Sequence, residues 1–356
     1  MADNFNESKA ESFAGNMMGV LNSSALGLMI SIGHRTGLFD TMGELSPSTS
    51  LRIAEAAELN ERYVREWLGA MVTGGIVDYD AADKTYLLPP EHAACLTRAA
   101  APDNIASFMQ YVPVLGIVEE EILECFKQGG GVPYSSFPGF HRVMAEDSGQ
   151  TVVTALKDSI LPLVPGLIEA LGKGITVLDV GCGSGQAINA MAEAFPNSEF
   201  HGYDISEEAI SSARAHAKET GLTNANFAVK DVTNLEKAGE FDLITAFDAI
   251  HDQANPARVL TGIYQALSPT GTFLMQDIKA SSELHKNLNH PIGPFLYTIS
   301  CMHCMTVSLA QDGEGLGAMW GEEKASQMLG EAGFTNVTIK QLPHDFQNNF
   351  YIATRN

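Results

Sequence analysis

The stretch Val177–Pro196, "VLDVGCGSGQAINAMAEAFP", contains the residues that decide the fold. An apolar run ends in Asp179, a turn with Gly181, Gly183 and Gly185 follows, and a helical pattern begins immediately after the turn. Glycine adopts backbone conformations that other residues avoid, and it lets the backbone approach a ligand closely. The stretch therefore predicts a strand, a turn and a helix. The turn could bind a ligand, although similar tight turns also occur in α/β proteins that bind no ligand there.

The segments that follow repeat this rhythm over residues 173–356. Short β-branched and aromatic runs alternate with helical segments, which is typical of βαβ units with a parallel sheet. These runs are Ile175–Val180, Ser198–Ile205, Ala225–Val232, Phe241–Ile250 and Gly271–Ile278. Two later runs, Thr335–Leu342 and Asn348–Arg355, have no helix between them and predict an antiparallel pair at one edge. We predict a doubly wound, seven-stranded Rossmann-like α/β sheet, with the His344–Asp345 step in a loop.

Residues 1–98 predict a different domain, which is mostly helical. Apolar residues at helical spacing run over residues 14–38, and two shorter helices follow, with Ser50 and Asn60 as expected N-caps. Gly74–Gly75 should end the second of these helices, and two short alternating runs about a turn at residues 81–83 complete a winged helix-turn-helix. Residues 99–172 are predicted to be a helical linker and substrate lid, interrupted by the loop Gly129–Phe140.

The charge of the chain argues against nucleic-acid and membrane partners. The formal net charge is −22 at pH 7, and residues 1–90 hold six Lys and Arg against twelve Asp and Glu. In the second short helix, Arg62 and Arg65 stand beside Glu61 and Glu66, which leaves it neutral. Binding to phosphate backbones or anionic membranes needs clustered basic residues. We expect the winged domain to serve dimerisation or lid closure.

The termini and cysteines predict a cytoplasmic protein. The first thirteen residues, "MADNFNESKAESF", have no apolar core of a signal peptide, and no stretch approaches 18 continuous apolar residues. Scattered cysteines in a chain of this length do not resemble a disulfide framework and are expected to be reduced. They are Cys95, Cys125, Cys182, Cys301 and Cys304.

Two further carboxylates indicate which class of ligand the glycine turn binds. Asp204 ends the second strand, twenty-five residues after Asp179, where a carboxylate can accept both hydroxyls of a ribose. Asp231, next to Val232, can meet the edge and face of an adenine. A dinucleotide site would have a third glycine at the position of Gln186 for its pyrophosphate. An adenosyl ligand without phosphate, carrying a positive charge, fits this turn better.

With these residues the chain resembles the class I S-adenosylmethionine-dependent methyltransferases, of which "VLDVGCGSG" is the first motif. The winged helical start, the loop "GGGVPYSSF" and the step "FDAIHDQ" extend the resemblance over nearly the whole chain, to the caffeate-type small-molecule O-methyltransferases with a winged-helix dimerisation domain. The resemblance implies S-adenosylmethionine as cofactor, a small-molecule acceptor and a homodimer. It implies cofactor contacts by Asp179, Gly181, Gly183, Gly185, Asp204, Asp231, Val232 and Phe247, the last of which replaces a lysine of the plant enzymes.

The stretch "FDAIHDQANP", Phe247–Pro256, carries the second candidate site. By the resemblance His251 is the general base that takes the proton of an acceptor hydroxyl or thiol, oriented by Asp277. Two other interpretations stay open: a metal or other polar site, and a structural role in which Asp252 or Asn255 caps the next helix. The chain departs from the plant motif, which has a tryptophan in place of Gln253.

The segment Gly293–Ala310 combines sulfur and imidazole groups where the family places a helix lining the acceptor pocket. Cys301 and Cys304, with His251 or His303, could bind zinc, although a single C-x-x-C is a weak signal. A Met- and Cys-rich face more often packs as an apolar wall. The candidate lining of the acceptor pocket comprises Phe108, Met109, Phe137, Met302, His303, Met305 and Trp320.

Three classes of function remain open from the sequence alone. The first is a homodimeric methyltransferase acting on a small hydroxyl or thiol compound. The second is a thiol or amine methyltransferase that works by positioning, with or without a metal, and needs no base. The third is a winged-helix transcriptional regulator that binds the cofactor without catalysis, which the acidic first domain disfavours.

Overall fold

The computed structural model describes residues 5–235, 238–343 and 345–355, so His344 lies outside the described part. The chain divides into two compact units, Met1–Pro113 and Val114–Asn356. The division falls inside the segment 99–172 that the sequence sets apart as a linker.

The first unit is helical with a small two-stranded ribbon. A bridge between Ser48 and Tyr86 adds a third short segment to the antiparallel ribbon, so the winged helix-turn-helix pattern is confirmed. The elements are α1 (Glu7–Arg35), α2 (Leu38–Glu44), α3 (Ser50–Ala56), α4 (Glu61–Thr73), β1 (Asp78–Asp80), β2 (Thr85–Leu87) and α5 (Pro90–Leu96), with short 3₁₀ turns at Arg98–Ala100 and Ile105–Gln110.

Side-chain caps fix the start of α4, and one predicted cap is wrong. Asn60 accepts a hydrogen bond from the backbone N–H of Arg62 at 3.0 Å, as expected, and Gly74 follows the last residue of α4. Ser50 does not cap α3, because Thr49 accepts the bond from the first turn. The Ser50 hydroxyl instead donates to Glu61 Oε1 at 2.7 Å, which ties α3 to α4.

The core of the first unit is centred on Trp67 of α4. Its indole N–H donates to the carbonyl of Met29 at 2.8 Å, and Phe39 meets its ring edge-on with 5.3 Å between centroids. A Cβ on Gly33 would lie 2.5 Å from the Trp67 ring, so only glycine allows α1 to approach α4 this closely. On the outer face of α4, Arg62 pairs with Glu66, which supports the predicted neutrality of this helix.

Much of α1 remains exposed despite its apolar composition. By length and composition it could span a membrane, a property it shares with helices of soluble proteins, and 11% of the relevant window is buried. Exposed apolar side chains recur along it at helical spacing. They include Phe13, Met17, Leu21, Leu28 and Ile32. These side chains give α1 an exposed apolar stripe.

The second unit begins with helical segments and continues as an α/β domain. The strands are β3 (Thr176–Val180), β4 (Glu199–Asp204), β5 (Ala225–Val229), β6 (Phe241–Phe247), β7 (Leu267–Ile278), β8 (Asn336–Lys340) and β9 (Asn348–Thr354). The helices are α6 (Tyr111–Gly116, which starts in the first unit), α7 (Glu119–Gln128), α8 (Phe140–Ser148), α9 (Leu167–Lys173), α10 (Gln186–Ala194), α11 (Glu207–Glu219), α12 (Pro256–Ala266), α13 (Gly293–Ile299), α14 (Met305–Leu309) and α15 (Gly321–Glu331). Shorter 3₁₀ and π turns connect them.

The seven strands form one sheet in the order β5-β4-β3-β6-β7-β9-β8. The strands from β5 to β7 run parallel, whereas β9 pairs antiparallel with both β7 and β8. This confirms the predicted doubly wound sheet and its antiparallel pair. The chain leaves β3 in one direction for β4 and β5 and then returns to the other side at β6. Ligands of such sheets bind at this switch point, beyond the carboxyl ends of the strands.

Each face of the sheet buries its own apolar core. One core packs Ile244, Met275 and Tyr351 against α12 and α15, and the other packs Leu243, Leu274 and Phe350 against α10 and the helical turns before α9. Alternate residues of a strand point to opposite faces, so the two cores interleave along the same strands. The polar side chains that interrupt this pattern lie at the carboxyl ends, where they form the site described next.

Candidate active site

The glycine turn between β3 and α10 has three left-handed residues. Gly181 (φ +71°) and Gly185 (φ +71°) are closely surrounded: an added Cβ would lie 2.6 Å from Ala249 Cβ and 2.6 Å from the ring of Phe227, respectively. Gly183 (φ +53°) would meet no atom within 4 Å. The first and last glycines therefore allow close packing, and the middle one leaves open space beside the backbone.

Asp179 lies at the end of β3, below this turn, and is buried. The Thr245 hydroxyl donates to Asp179 Oδ1 at 2.7 Å. Burial raises the pKa of Asp179 to about 7, against the effect of this hydrogen bond and with a smaller contribution from Asp204. A carboxyl group held near the middle of its titration gains charge readily when a cation binds beside it.

Asp204 ends β4, and Asp231 lies two residues beyond the end of β5. Asp204 accepts from the backbone N–H of Gly183 at 2.9 Å and from that of Ser206 at 2.8 Å, which ties the glycine turn to the end of β4. Asp231 accepts two bonds from Thr233, at 2.9 Å from its N–H and 2.7 Å from its hydroxyl. The structure thus brings both carboxylates to the edge that holds the turn, while their contacts with a ribose and an adenine stay predictions.

The remaining two predicted cofactor residues differ in exposure. Val232 is 5% exposed and belongs to the core that packs against α12. Phe247 ends β6 and is half-buried against the other core. Both side chains lie at the carboxyl edge of the sheet, but the packing of Val232 leaves little of its surface for a ligand.

His251 is held on one nitrogen by a buried carboxylate. Its Nδ1 lies 2.8 Å from Oδ1 of Asp277, whose side chain is fully buried at the end of β7. The same oxygen accepts from the indole N–H of Trp320 at 2.8 Å and from the backbone N–H of Ile278 at 2.8 Å. A carboxylate anchored in this way fixes the orientation of the imidazole ring and directs Nε2 outward from Asp277.

The other nitrogen of His251 faces a second carboxylate. Nε2 lies 3.2 Å from Oδ1 of Asp252, whose side chain is one-quarter exposed. Burial alone lowers the pKa of His251, but Asp277 and Asp252 outweigh it and hold this pKa well above its ordinary value. Burial raises the pKa of Asp252, and the His251 charge outweighs that effect and lowers it. The pair is therefore an imidazolium and a carboxylate at neutral pH.

The thiol of Cys304 completes a compact group with His251 and Asp252. One potential ligand atom from each of the three residues lies within 4.8 Å of the others. Burial raises the pKa of Cys304 to about 12, with Asp252 adding to the shift, so the sulfur carries its proton at neutral pH. In the predicted zinc set, Cys304 and His251 are thus together, while Cys301 is half-buried on a π turn, Ser300–Cys304, outside this group.

Aromatic rings surround His303 next to this group. Its ring stacks on Phe140 with 3.7 Å between centroids and 9° between planes, and Tyr134 and Phe137 meet it edge-on at 5.1 and 4.9 Å. Burial lowers the pKa of His303 to about 4, so the ring is neutral. Its Nε2 is buried and has no hydrogen-bond partner among the described residues. We name Tyr134, Phe137, Phe140 and His303 the aromatic box.

The other predicted lining residues are spread over both units. Met302 and Met305 are half-buried on either side of His303, whereas Trp320 lies behind Asp277 as a hydrogen-bond donor. Phe108 and Met109 are half-buried in the first unit, where Met109 packs against its core. Among the described residues of the second unit, the ring contact that joins two predicted lining residues is therefore the one between Phe137 and His303.

The sequence did not indicate Tyr134 and Phe140 as contributors to this site, and it indicated a different role for Trp320. Trp320 was predicted as lining, and nothing in the sequence pairs it with Asp277, which is forty-three residues away. Tyr134 and Phe140 belong to the predicted loop Gly129–Phe140, and ring stacking leaves no periodic signal in the sequence. Asn255 caps α12 by accepting from the N–H of Arg258 at 3.2 Å, so Asp252 is not the cap.

Comparison with known proteins agrees with this geometry. A family model described as an Rv2258c-like winged HTH domain matches residues 24–98, and one described as a methyltransferase domain matches residues 171–333. A ubiquinone biosynthesis O-methyltransferase of Methylococcus capsulatus is 30% identical over 109 residues, which are 30% of this chain and 45% of that protein. The corresponding enzyme of Coxiella burnetii is 32% identical over 128 residues, 36% of this chain and 49% of that protein. The chain spans about half the length of these curated relatives.

Solved structures match over almost the whole chain. Mitomycin 7-O-methyltransferase has a TM-score of 0.70 and 16% identity, covering 98% of this chain and 100% of that one. Human N-acetylserotonin methyltransferase, solved with S-adenosylmethionine, has a TM-score of 0.66 and 16% identity, covering 99% of each chain. At these identities the likeness shows the fold.

The sheet, the glycine turn and the matched domains define the class: the chain carries a methyltransferase domain at residues 171–333, preceded by a winged helix-turn-helix domain at residues 24–98, and S-adenosylmethionine is the cofactor of that class of domain. Within the class it has the two-part architecture of the O-methyltransferases in which a winged helical domain precedes the methyltransferase domain.

Proposed function

We propose that the protein transfers the methyl group of S-adenosylmethionine to a hydroxyl or thiol of a small molecule, with His251 as general base. The observation that carries this proposal is the bond between His251 Nδ1 and the buried Asp277, itself anchored by Trp320. An imidazole fixed on one nitrogen presents the other at a defined place, which is what proton transfer from an acceptor requires.

The residues at the glycine turn fit the cofactor. The open space beside Gly183 admits a ligand to the backbone, and the buried Asp179, with a pKa near 7, favours a cation nearby. We assign Asp179 and the three glycines to the methionine end, Asp204 to the ribose, and Asp231 and Val232 to the adenine. When bound, S-adenosylmethionine supplies an activated methyl group on a sulfonium, so the protein chiefly has to position the acceptor.

His251 has to be neutral at Nε2 before it can accept a proton. The carboxylate of Asp252 lies 3.2 Å from this nitrogen and holds the proton there. We propose that the acceptor hydroxyl or thiol takes the place of the Asp252 carboxylate at Nε2. A phenol or thiol with a pKa above 7 gains from such a base, because its deprotonated form is the nucleophile.

The aromatic box indicates the shape of the acceptor. Three aromatic rings and the neutral ring of His303 form a polarizable wall, in which Tyr134 and Phe137 meet His303 edge-on and Phe140 stacks on it. The unpartnered Nε2 of His303 offers one hydrogen bond to a group on the acceptor. An aromatic or soft sulfur compound with one polar substituent fits this wall, with Met302 and Met305 beside it.

Two features of the whole chain support a cytoplasmic homodimer. The apolar stripe on α1 gives the first unit a surface suited to a second copy, and the cysteines of the described residues are free thiols. The paired arginines of α4 and the acidic balance disfavour nucleic acid as partner. Sedimentation at micromolar concentration should give the dimer mass, and a monomer would remove this part of the proposal.

One observation favours a second candidate mechanism, in which a metal assists. His251, Asp252 and Cys304 offer nitrogen, oxygen and sulfur atoms within 4.8 Å of one another, and the bond from His251 to Asp277 is of the kind that orients metal-bound histidines. Zinc accepts this donor set, and it would need the Cys304 proton to leave. In that case the metal, and not a free imidazole, would activate the acceptor.

The experiment that tests the proposed function is an acceptor screen with the purified protein. Phenols, catechols, small thiols and amines are offered with S-adenosylmethionine, and release of S-adenosylhomocysteine is measured with and without a chelator. Turnover of hydroxyl or thiol compounds that a chelator leaves unchanged supports the proposal. Turnover that the chelator abolishes and zinc restores supports the metal mechanism, and turnover of amines alone contradicts both.

The carboxylate of Asp252 gives a pH-dependent prediction. It raises the pKa of His251, so activity should be lost as pH falls through that raised value, where the base becomes an imidazolium. Asp252→Asn removes the charge at Nε2, lowers the pKa of His251 in the free enzyme and should move the acid limb of the kcat/KM profile to lower pH. The measurement is kcat/KM against pH for both proteins, with Asp242→Asn as a control on an exposed strand carboxylate. An unmoved limb would show that Asp252 does not set the protonation of His251.

A further inference from the structure

One buried polar pair at the carboxyl edge of the sheet, Asp248 and Gln276, has no role among the predicted cofactor contacts. Asp248 follows the last residue of β6, and Gln276 lies near the end of β7. Gln276 Nε2 donates to Asp248 Oδ2 at 2.8 Å, and the backbone N–H of Asp248 donates to the Gln276 carbonyl at 3.1 Å. Two bonds therefore fix the carboxylate to the neighbouring strand.

This pair presents two acceptor oxygens that have no donor. Asp248 Oδ1 and Gln276 Oε1 are buried, and neither has a hydrogen-bond partner among the described residues. Gln276 is 2% exposed, so bulk water does not satisfy its oxygen. A buried acceptor without a donor costs about 1–3 kcal/mol, and more when it is charged. Such a cost, carried twice at one place, indicates a ligand that supplies donors.

The backbone at Asp248 also departs from the ordinary. Its φ is +51°, a left-handed conformation that costs free energy for any residue with a side chain and that is concentrated at functional sites. The next residue, Ala249, is the one that would lie 2.6 Å from an added Cβ on Gly181. The left-handed turn at Asp248 therefore sits against the glycine turn, at the end of the cofactor site assigned to methionine.

We infer that Asp248, with Gln276, receives the ammonium group of the methionine part of the cofactor. An ammonium has three N–H donors and a positive charge, so it can donate to Asp248 Oδ1 and Gln276 Oε1 together. A hydrogen bond between charged partners is stronger than a neutral one. This inference rests on the proposed function, because it assumes that S-adenosylmethionine occupies the glycine turn.

The charge state of Asp248 fits a cationic ligand. Burial raises the pKa of Asp248 well above its ordinary value, Asp277 and Asp345 add to the shift, and His251 and the bond from Gln276 oppose it. A cation close to Oδ1 would favour the ionised carboxylate. Within the described residues, the charged groups that act on Asp248 are two carboxylates and one imidazolium. A positively charged ligand would therefore balance the excess of negative charge around an ionised Asp248.

The test compares S-adenosylhomocysteine with its analogue lacking the amino group, using calorimetry on the full chain. Asp248→Asn should weaken S-adenosylhomocysteine by about 10–100-fold, the worth of a hydrogen bond to a charged group, and the desamino analogue less than about twofold. Asparagine tolerates a left-handed backbone, so this variant keeps the turn. Asp242→Asn on the same strand is the matched control and should bind both ligands like the wild type.

A second variant keeps the inference testable if Asp248→Asn unfolds, which thermal unfolding would reveal. Gln276→Leu removes the second acceptor and should also weaken S-adenosylhomocysteine more than the desamino analogue. Equal weakening of both ligands, or none, in a folded variant would overturn the inference and leave the proposed function standing. If the wild type binds neither ligand, the proposed function fails, and this inference fails with it.

Discussion

His251→Asn is expected to lower kcat by roughly 10²–10⁴, the usual worth of general acid-base catalysis, while the Kd of the cofactor hardly changes. The reason is geometric. His251 is bound to Asp277 on the face of the sheet that carries Tyr351 and Trp320, whereas the glycine turn is tied to β4 through Asp204. Removing the imidazole therefore takes away a base without removing a cofactor contact.

Asparagine is a suitable replacement because its side-chain amide can still donate to Asp277. This matters, since Asp277 lies fully buried and would lose one of its donors with alanine. Turnover and cofactor affinity are measured separately, by S-adenosylhomocysteine release and by calorimetry. His285→Asn, at an exposed histidine of the same unit, is the matched control and should leave both values unchanged.

Retention of near-normal turnover in His251→Asn would contradict the base role. It would point to an acceptor that needs positioning only, such as an amine or a thiol already ionised. A loss of cofactor affinity equal to the loss of turnover would instead show that His251 shapes the cofactor site. If the metal mechanism holds, His251→Asn should also lower the metal content of the purified protein. Measuring the metal content therefore separates that mechanism from the two results above.

Much of this fold follows from patterns that are local in the sequence. The alternation of strands and helices and the turn with Gly181, Gly183 and Gly185 indicate a doubly wound parallel sheet, and the placement of Asp179 and Asp204 at its carboxyl edge follows from that fold class. Strand ends of a parallel sheet meet at one edge, so a carboxylate that ends a strand is placed there by topology alone. The cap Asn60 was also predictable, because helix capping depends on residues that are close together in the sequence.

Contacts between distant segments were not predictable from the same patterns. Trp320 donates to Asp277 because the loop before α15 passes behind β7, and the stacking of His303 on Phe140 joins two segments more than 150 residues apart. These contacts also decide the charge states, since the pKa of His251 depends on which carboxylates surround it. The cap of α3 shows the same limit on a smaller scale, because the bond of Ser50 to Glu61 competes with capping.

Gly181→Ala is the second substitution for which we expect a large effect. Alanine at this position has to adopt a left-handed backbone, which costs about 1–2 kcal/mol, and its Cβ would meet Ala249 Cβ at 2.6 Å. Neither of these groups can rotate away, and forcing an extra carbon into a packed site costs a further 1–3 kcal/mol or so. The free energy of unfolding should therefore fall by about 2–5 kcal/mol.

The clash between the added Cβ of the variant Gly181→Ala and Ala249 should also displace Asp248 and His251. Ala249 stands between Asp248 and the segment that leads to His251, so relief of the contact moves the strand end that carries both. We expect the cofactor Kd to rise along with the loss of stability. Gly183→Ala separates the two causes, because Gly183 is also left-handed (φ +53°) but has no atom within 4 Å of an added Cβ. It should lose only about 1–2 kcal/mol of stability. Urea unfolding measures the stability of the two variants, and equal losses of stability in the two would show that the contact with Ala249 contributes nothing.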